Sequence, residues 1–183
     1  MSAKTEATIK DLYHVPENGK AEIVNGEVVL MSPTGQKPNR AAFKISLRLY
    51  EYELLTGSGI AVADNAGFKV NLPNRKSFSP DAAFYVGKDP GMKFFELAPV
   101  FAAEVRSEND YGLAAEREIK EKIADYFTAG TLVVWDVDLL GEDVVRAYRA
   151  DNPDRPDIYR RGEIANAEPA LSEWAMAVDD LFQ

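Results

Sequence analysis

The chain has no cysteine and a single histidine, His14. Without cysteine there are no disulfides, no thiolate zinc site and no cysteine nucleophile. One histidine excludes a multi-histidine metal site within one chain, and it leaves a histidine-based triad without its base unless another chain supplies it. An isolated histidine near the start of a chain reads as a surface residue. Long apolar runs are missing too: none approaches the ~20 residues needed to cross a bilayer. The opening MSAKTEATIKDLYHV lacks the apolar stretch of a secretory signal. These absences fit a reducing cytoplasm, the expected location. They leave any chemistry to carboxylates, lysines, arginines and hydroxyls.

Positive charge is also scarce. With 21 Lys and Arg against 30 Asp and Glu, the net charge is −9, which argues against a protein that coats DNA generally. The distribution is uneven, however. Between Met31 and Lys76 seven basic residues (Lys37, Arg40, Lys44, Arg48, Lys69, Arg75, Lys76) face three acidic ones (Glu51, Glu53, Asp64). That is enough for a local basic face. The 183 residues, 46% hydrophobic and 28% charged, suit one globular domain over 1–183 with a sizeable core. Residues 1–19 are expected to form an N-terminal extension, partly helical.

AEIVNGEVVL reads as a hairpin, with Asn25-Gly26 supplying the positive φ angles of a tight turn. Its pairing sets Ile23 opposite Val28 on one face, with Glu22 and Glu27 on the other. SPTGQKPNR reads as a loop ahead of a helix, in which Phe43, Leu47, Tyr50 and Leu54 recur at helical spacing and Lys44 and Arg48 lie off that stripe. Gly57 and Gly59 end it. Strands are expected around 60–63 and 67–71, then over 82–86, directly after Pro80-Asp81. GKDPGMKFFEL reads as a loop with a partial helical turn. Residues 100–105 are nearly all apolar, as for a strand covered on both faces. A helix over about 113–129 has Ile119, Ile123, Tyr126 and Phe127 as its core stripe, and Gly130 stops it. TLVVWDVD is a buried strand, so the strand–helix–strand unit should be a right-handed parallel crossover. Weaker strands at 144–148 and 158–160 flank a Pro/Asp/Arg loop, and AMAVDDLF closes the chain as an apolar segment running into a turn or helix.

Two carboxylates stand out against this pattern. Asp81 opens the apolar AAFYV, whereas the other Pro-Asp pairs, at Asp154 and Asp157, lie in a charged loop. Glu104 interrupts the buried run VFAAEV. A carboxylate in such a strand is costly to bury unless paired, metal-bound or at an edge. Asp81 and Glu104 therefore bracket two strands that can aim two carboxylates at one point. Two hard oxygen ligands, a backbone carbonyl and water suit Mg²⁺, which polarises a phosphodiester and activates water. A strand-start aspartate and an ion-paired glutamate are the plainer reading of the same pair. Lys120 and Lys122 lie on opposite flanks of the helical stripe at nearly equal angles, and periodicity does not choose between them. Either reads equally as a surface lysine with its stem along the apolar face. Glu116 falls within the stripe near the helix start; it reads as a charge favoured by the helix dipole rather than as a neighbour of the site.

EIVNGEVVLMSPTG, SPDAAF, AEVRS, KIADYFTAG and VVWDVD, in that order, resemble the Uma2 or DUF820 family, assigned to the PD-(D/E)XK, restriction endonuclease-like superfamily. The likeness runs from about Ala21 to Val137, and the terminal AVDDLF also fits. It implies an α/β fold with a mixed central sheet flanked by helices. It implies Mg²⁺ (or Mn²⁺) held by Asp81, Glu104 and the backbone carbonyl of Val105, and a catalytic lysine moved to the following helix, here Lys122. Glu22 matches a further acidic position. The chain departs from the family at three places. After Val105 stands Arg106, where the superfamily has its lysine and this family usually an aliphatic residue. By strand alternation Arg106 faces the same way as Glu104, and it can bind phosphate or pair with the carboxylates but not accept a proton. Pro38 lies near the place of a frequent histidine, and RSEND replaces a serine/proline-rich stretch.

The expected function is a Mg²⁺-dependent endonuclease acting on phosphodiesters, in DNA. Lys37 and Arg40 would lie beside a helix N-terminus that offers N–H groups to phosphate, and Arg75 and Lys76 would hold a nucleic-acid backbone leading into the centre. A non-cleaving nucleic-acid- or protein-binding module on the same fold is the alternative, motivated by Arg106. A glycosidase using the same pair is disfavoured by the short chain and the lack of an aromatic sugar-binding cluster. A homodimer is expected by analogy with nucleases that act on duplexes.

Overall fold

Asn25 and Gly26 have φ angles of 50° and 75°, a turn geometry that the right-handed twist of paired strands favours. They join β1 (Ala21–Val24) to β2 (Glu27–Leu30), with Ile23 paired to Val28 as the sequence leads one to expect. The computed structural model describes residues 6–16 and 19–183. Ahead of the hairpin lies a short helix, α1 (Ile9–Leu12), within the expected N-terminal extension over 1–19, of which 1–5 and 17–18 lie outside the described residues. His14 is exposed, and its ring bonds the Lys10 carbonyl.

Helix α2 (Gln36–Thr56) starts inside the segment expected to be a loop, so Lys37 and Arg40 lie on its first turns. Pro38 is no obstacle there, because a first-turn N–H has no intrahelical partner to lose. The helix stops at Gly57, whose φ of 59° continues the chain in the left-handed conformation. Then follow β3 (Ile60–Ala63), β4 (Phe68–Lys69), β5 (Ser77–Phe78), β6 (Ala82–Tyr85), β7 (Phe95–Glu96) and β8 (Phe101–Val105). Helix α3 (Leu113–Thr128) leads to β9 (Val133–Val137), β10 (Val145–Arg149) and β11 (Asn152–Tyr159). A small hairpin, β12 (Ile164–Asn166) with β13 (Ala175–Ala177), precedes a closing 3₁₀ turn over Val178–Phe182.

The central sheet has the order β11-β10-β9-β8-β6-β3. Its β8–β9 pair is parallel, spanned by α3, and its other pairings are antiparallel, so the sheet is mixed. Strands β5, β4 and β7 form a separate small sheet. Two local expectations give way. The segment at 87–97 has no helical turn and instead supplies β7, which pairs with β4. The Pro/Asp/Arg loop belongs to β11, which pairs on one side with β10 and is the sheet's outer strand. An edge strand tolerates Pro153 and Pro156 because half of its N–H groups have no ladder partner.

Both faces of the sheet are covered. On one, Ala41, Ala42, Ile45 and Leu49 of α2 pack with Phe84, Phe101, Trp135 and Trp174. On the other, Ile123 and Tyr126 of α3 pack with Phe68, Phe78, Ala83, Ala102 and Val134. The large side chains Phe43, Leu47, Tyr50 and Leu54 do not face the core and are 42–68% exposed. The reason is spacing: Ala41 and Ala42 let α2 approach the sheet closely, and the bulkier stripe is left outside. Helix α2 leads directly to Ile60, which pairs with Tyr85 at the far end of β6. Helix α2 covers the face of the sheet opposite α3, with Lys37 and Arg40 on its first turns. Among the described residues, no helix is long and apolar enough to cross a membrane.

Candidate active site

Ala82 pairs with Ala103, so one further step of that register sets Asp81 opposite Glu104; the Asp81 N–H indeed donates to the Ala103 carbonyl at 3.1 Å. Ala63 pairs with Ala82, which likewise sets Asp64 opposite Asp81. On the other side Glu104 pairs with Asp136. Directly opposed residues of paired strands point to the same face, with Cβ atoms roughly 4.5–5.5 Å apart. Four carboxylates (Asp64, Asp81, Glu104 and Asp136) thus stand in line across β3, β6, β8 and β9, on the face covered by α3.

Each member of the line has a cation. The Lys20 ammonium bridges Asp64 and Asp81, at 2.7 Å from each. Lys122 of α3 bonds Glu104 at 2.9 Å and Glu22 of β1 at 3.0 Å. Arg106 grips Asp136 through two nitrogens, both at 2.7 Å, and also holds Glu116. Backbone and hydroxyl donors reach three of these carboxylates as well. Asp81 Oδ2 accepts the Val105 N–H at 2.7 Å, Glu104 Oε1 accepts the Tyr126 hydroxyl at 2.6 Å, and Glu22 accepts the Ser79 N–H at 2.8 Å. Within a strand the N–H and carbonyl of one residue point to the same side, so the Val105 carbonyl is turned toward Asp81 too.

Burial and charge pull these groups in different directions. Burial raises the pKa of Glu104; Lys122 works against that rise, while Asp81 and Glu22 add to it. Burial also opposes ionisation of Glu22, but Lys122 and Arg75 outweigh it and its pKa is lowered. For Lys122 desolvation is overcome by Glu104 and Glu22, so its pKa is raised and it remains an ammonium. Lys20 behaves alike, with Asp81 and Glu104 outweighing burial. Burial, then Glu104 and Glu22, hold the Tyr126 hydroxyl protonated well above its ordinary range.

The residues singled out from sequence are not all brought together. Asp81, Glu104, Lys122, Glu22 and the Val105 backbone converge. Lys120 is exposed on the same helix. Arg106 faces the same side as Glu104, as alternation requires, yet its guanidinium is spent on Asp136 and Glu116. Glu116, besides lying in the first turn of α3, is thus the half-exposed outer partner of Arg106. Arg75 is not a surface charge ahead of the site: it is buried, bonding Glu22 and Asp125 and lying over the Phe78 ring. Those pairs occupy its Nε and Nη1 with the protein's own carboxylates. Lys76 folds back on the Asn71 side chain and the Leu72 carbonyl. Lys37 and Arg40 are exposed.

Sequence reasoning missed Lys20, Asp64, Tyr126, Asp125 and Asp136. Signals existed for three of them. Lys20 precedes Glu22 by two residues, which in an extended chain is the same face. Tyr126 follows Lys122 by one helical turn. Asp136 is a charge inside VVWDV, where nothing polar belongs without a partner. Asp64 and Asp125 have no local signal, because only strand pairing and helix docking bring them in.

A hard divalent cation suits this donor set, since every free ligand is oxygen. The ion pairs of the Asp81–Glu104 region join five carboxylates (Asp64, Asp81, Glu22, Glu104, Asp125) to three cations (Lys20, Lys122, Arg75), which leaves two negative charges. Among the described residues no three His, Cys, Asp or Glu side chains converge as an all-protein cage.

Residues 8–179 match the family model Uma2, described as "Putative restriction endonuclease". Among solved structures the chain is similar to one from Anabaena variabilis, described as "a putative nuclease belonging to DUF820". The TM-score is 0.74 and the identity 17%, with 96% of this chain and 97% of that one covered. At that identity the likeness speaks for the fold. No curated protein matches the chain significantly.

Proposed function

This chain belongs to the Uma2 family, and from that premise we propose that it is a Mg²⁺-dependent (or Mn²⁺-dependent) endonuclease that hydrolyses phosphodiester bonds in DNA. The observation that carries the reading is the convergence of Asp81, Glu104, Lys122 and the Val105 backbone in a region with two uncompensated negative charges. Asp81, Glu104 and the Val105 carbonyl would hold the cation. Bound there, it would supply Lewis-acid polarisation of the phosphate and a more acidic water. Lys122 keeps its proton, so its part is to orient Glu104 and to offset the charge of an attacking hydroxide, not to accept a proton. Tyr126 fixes the second oxygen of Glu104, and Arg75 with the Ser79 amide fixes Glu22. The exposed Lys37 and Arg40, on the first turns of the helix that covers the opposite face of the sheet, would supply phosphate contacts; Arg75 is a positioning residue. Arg106 motivates the alternative of a non-cleaving module, but its guanidinium does not reach the pair and so removes neither carboxylate.

The test is incubation of supercoiled DNA with purified protein and Mg²⁺ or Mn²⁺, beside Asp81→Ala, Glu104→Ala and Lys122→Ala. Loss of cleavage in the two carboxylate variants is expected. Equal cleavage in them, or none with any divalent ion in the wild type, would overturn the assignment.

A second copy of this chain is the partner that fits the exposed stripe of α2. Contiguous apolar patches of this kind are rare on monomers. The helix is basic in its first half (Lys37, Arg40, Lys44, Arg48) and carries the exposed Glu51 in its second. Two copies crossing antiparallel near Leu47 would set the apolar stripes against each other. Lys37, Arg40 and Lys44 of each would lie toward the end of the other that carries Glu51, itself paired with Arg48 of its own helix. Light scattering should find a dimer that Leu47→Glu converts to a monomer; a monomeric wild type, or a dimer that survives Leu47→Glu, rejects this surface.

A further inference from the structure

Lys20 belongs to none of the motifs that carry the family likeness to the metal site, yet it is ion-paired with Asp81. Its ammonium lies 2.7 Å from Asp81 Oδ1, and the other oxygen of Asp81 is taken by the Val105 N–H. Glu104 also acts on the same charge. A cation shared by Asp81 and Glu104 needs an oxygen from each, and the Asp81 oxygen not bonded to backbone is the one Lys20 covers. A divalent ion and an ammonium on the same oxygen repel each other strongly in a part-buried setting.

The second partner of Lys20 gives the ammonium somewhere to go. Asp64 is 2.7 Å from the same nitrogen and is the more exposed of its two carboxylates, with 36% of its side chain accessible against 19% for Asp81. Lysine meets both through a single nitrogen on a flexible stem, so it can release one while keeping the other; an arginine fork could not do so as cheaply. Resting on the metal reading above, we propose that Lys20 is the resident counter-ion of the metal-free site, which a divalent cation displaces from Asp81 onto Asp64. Lys20 thereby sets how tightly the site takes its metal. Displacement is reciprocal: whatever Lys20 gains from Asp81 is subtracted from the affinity for the ion.

Calorimetric titration with Mn²⁺ tests this without reference to cleavage, using the full chain as wild type, Lys20→Met, Lys20→Arg and Asp81→Ala. Circular dichroism on each confirms that it is folded. The expected order of affinity is Lys20→Met above wild type above Lys20→Arg, with Lys20→Met on the order of tenfold tighter. Asp64→Asn, which removes the refuge, should bind Mn²⁺ several-fold more weakly. Equal or weaker binding in Lys20→Met, alongside a wild-type site that Asp81→Ala abolishes, would overturn the role of Lys20 and leave the metal site standing. No Mn²⁺ binding by any folded variant would overturn both. If Lys20→Met fails to fold, the comparison of Lys20→Arg with wild type decides: unchanged or tighter binding rejects the proposal.

Discussion

Asp81 and Asp136 stand two strands apart in one line of carboxylates, on one face of one sheet, and each is paired with a neighbouring cation. The cations differ, and so does what each end can do. Asp136 is 2% exposed and is held by both arms of Arg106. That fork is planar, permanently charged and bidentate, which makes the pair rigid and expensive to break. Asp81 is 19% exposed and shares one ammonium with Asp64. Glu104, between them, is likewise held by a lysine. Lysine is a point charge on a flexible chain, so each of its contacts can be exchanged singly. The line therefore has an arginine-held end that is structural and a lysine-held end that can trade its ammonium for another cation.

The largest effect should come from breaking the arginine end. Asp136→Asn leaves a buried guanidinium short of its main partner and should cost about 3–5 kcal/mol, read from urea unfolding. Arg106→Lys should not rescue the pair, because one ammonium cannot make both bonds. At the lysine end, Lys122→Met should cost less, about 1–3 kcal/mol. Glu22 keeps Arg75 and the Ser79 amide, and Glu104 keeps Tyr126. Equal losses in the two variants would erase the contrast.

The smallest effect is a slope. The folded-state pKa of Glu104 is raised above 4.5, mainly by burial, so the folded protein binds more protons than the unfolded chain between 4.5 and the raised value. Stability contributed by this group is therefore lost as pH rises through that window. Glu22 has the opposite sign: its pKa is lowered, and its contribution is lost as pH falls below 4.5. Glu104→Gln should make the slope of unfolding free energy against pH more positive just above 4.5, by at most about 1.4 kcal/mol per pH unit. An unchanged slope would mean that Glu104 titrates as an ordinary carboxylate.

Much of this layout was legible before folding. Asn25-Gly26 specifies the hairpin because few other pairs accept two positive φ angles. The apolar strands on either side of α3 specify the parallel crossover. Asp81 and Glu104 stand out because a charge in an apolar strand needs a reason. Helix α2 shows the limit of periodicity. Its large residues form a regular stripe, but the sheet accepts the face carrying Ala41 and Ala42, since small side chains allow close contact. The prolines of β11 concealed a strand for a related reason: an edge requires half the hydrogen bonds of an interior position. Lys20 and Asp64 were out of reach because their meeting depends on where β1 and β3 dock, which no local spacing encodes. For Arg75 and Arg106 the residue type was informative but the partner was not, and the partner decides whether an arginine meets phosphate or the protein's own carboxylates.

The central claim is that the lysine-held end exchanges cations and the arginine-held end does not. A crystal grown with Mn²⁺, with data collected for the anomalous signal of manganese, tests it most directly. The account predicts one anomalous peak bonded to Asp81 and Glu104, with Lys20 turned onto Asp64 and Arg106 still on Asp136. A peak at Asp136, or none beside Asp81 at saturating Mn²⁺, would contradict it.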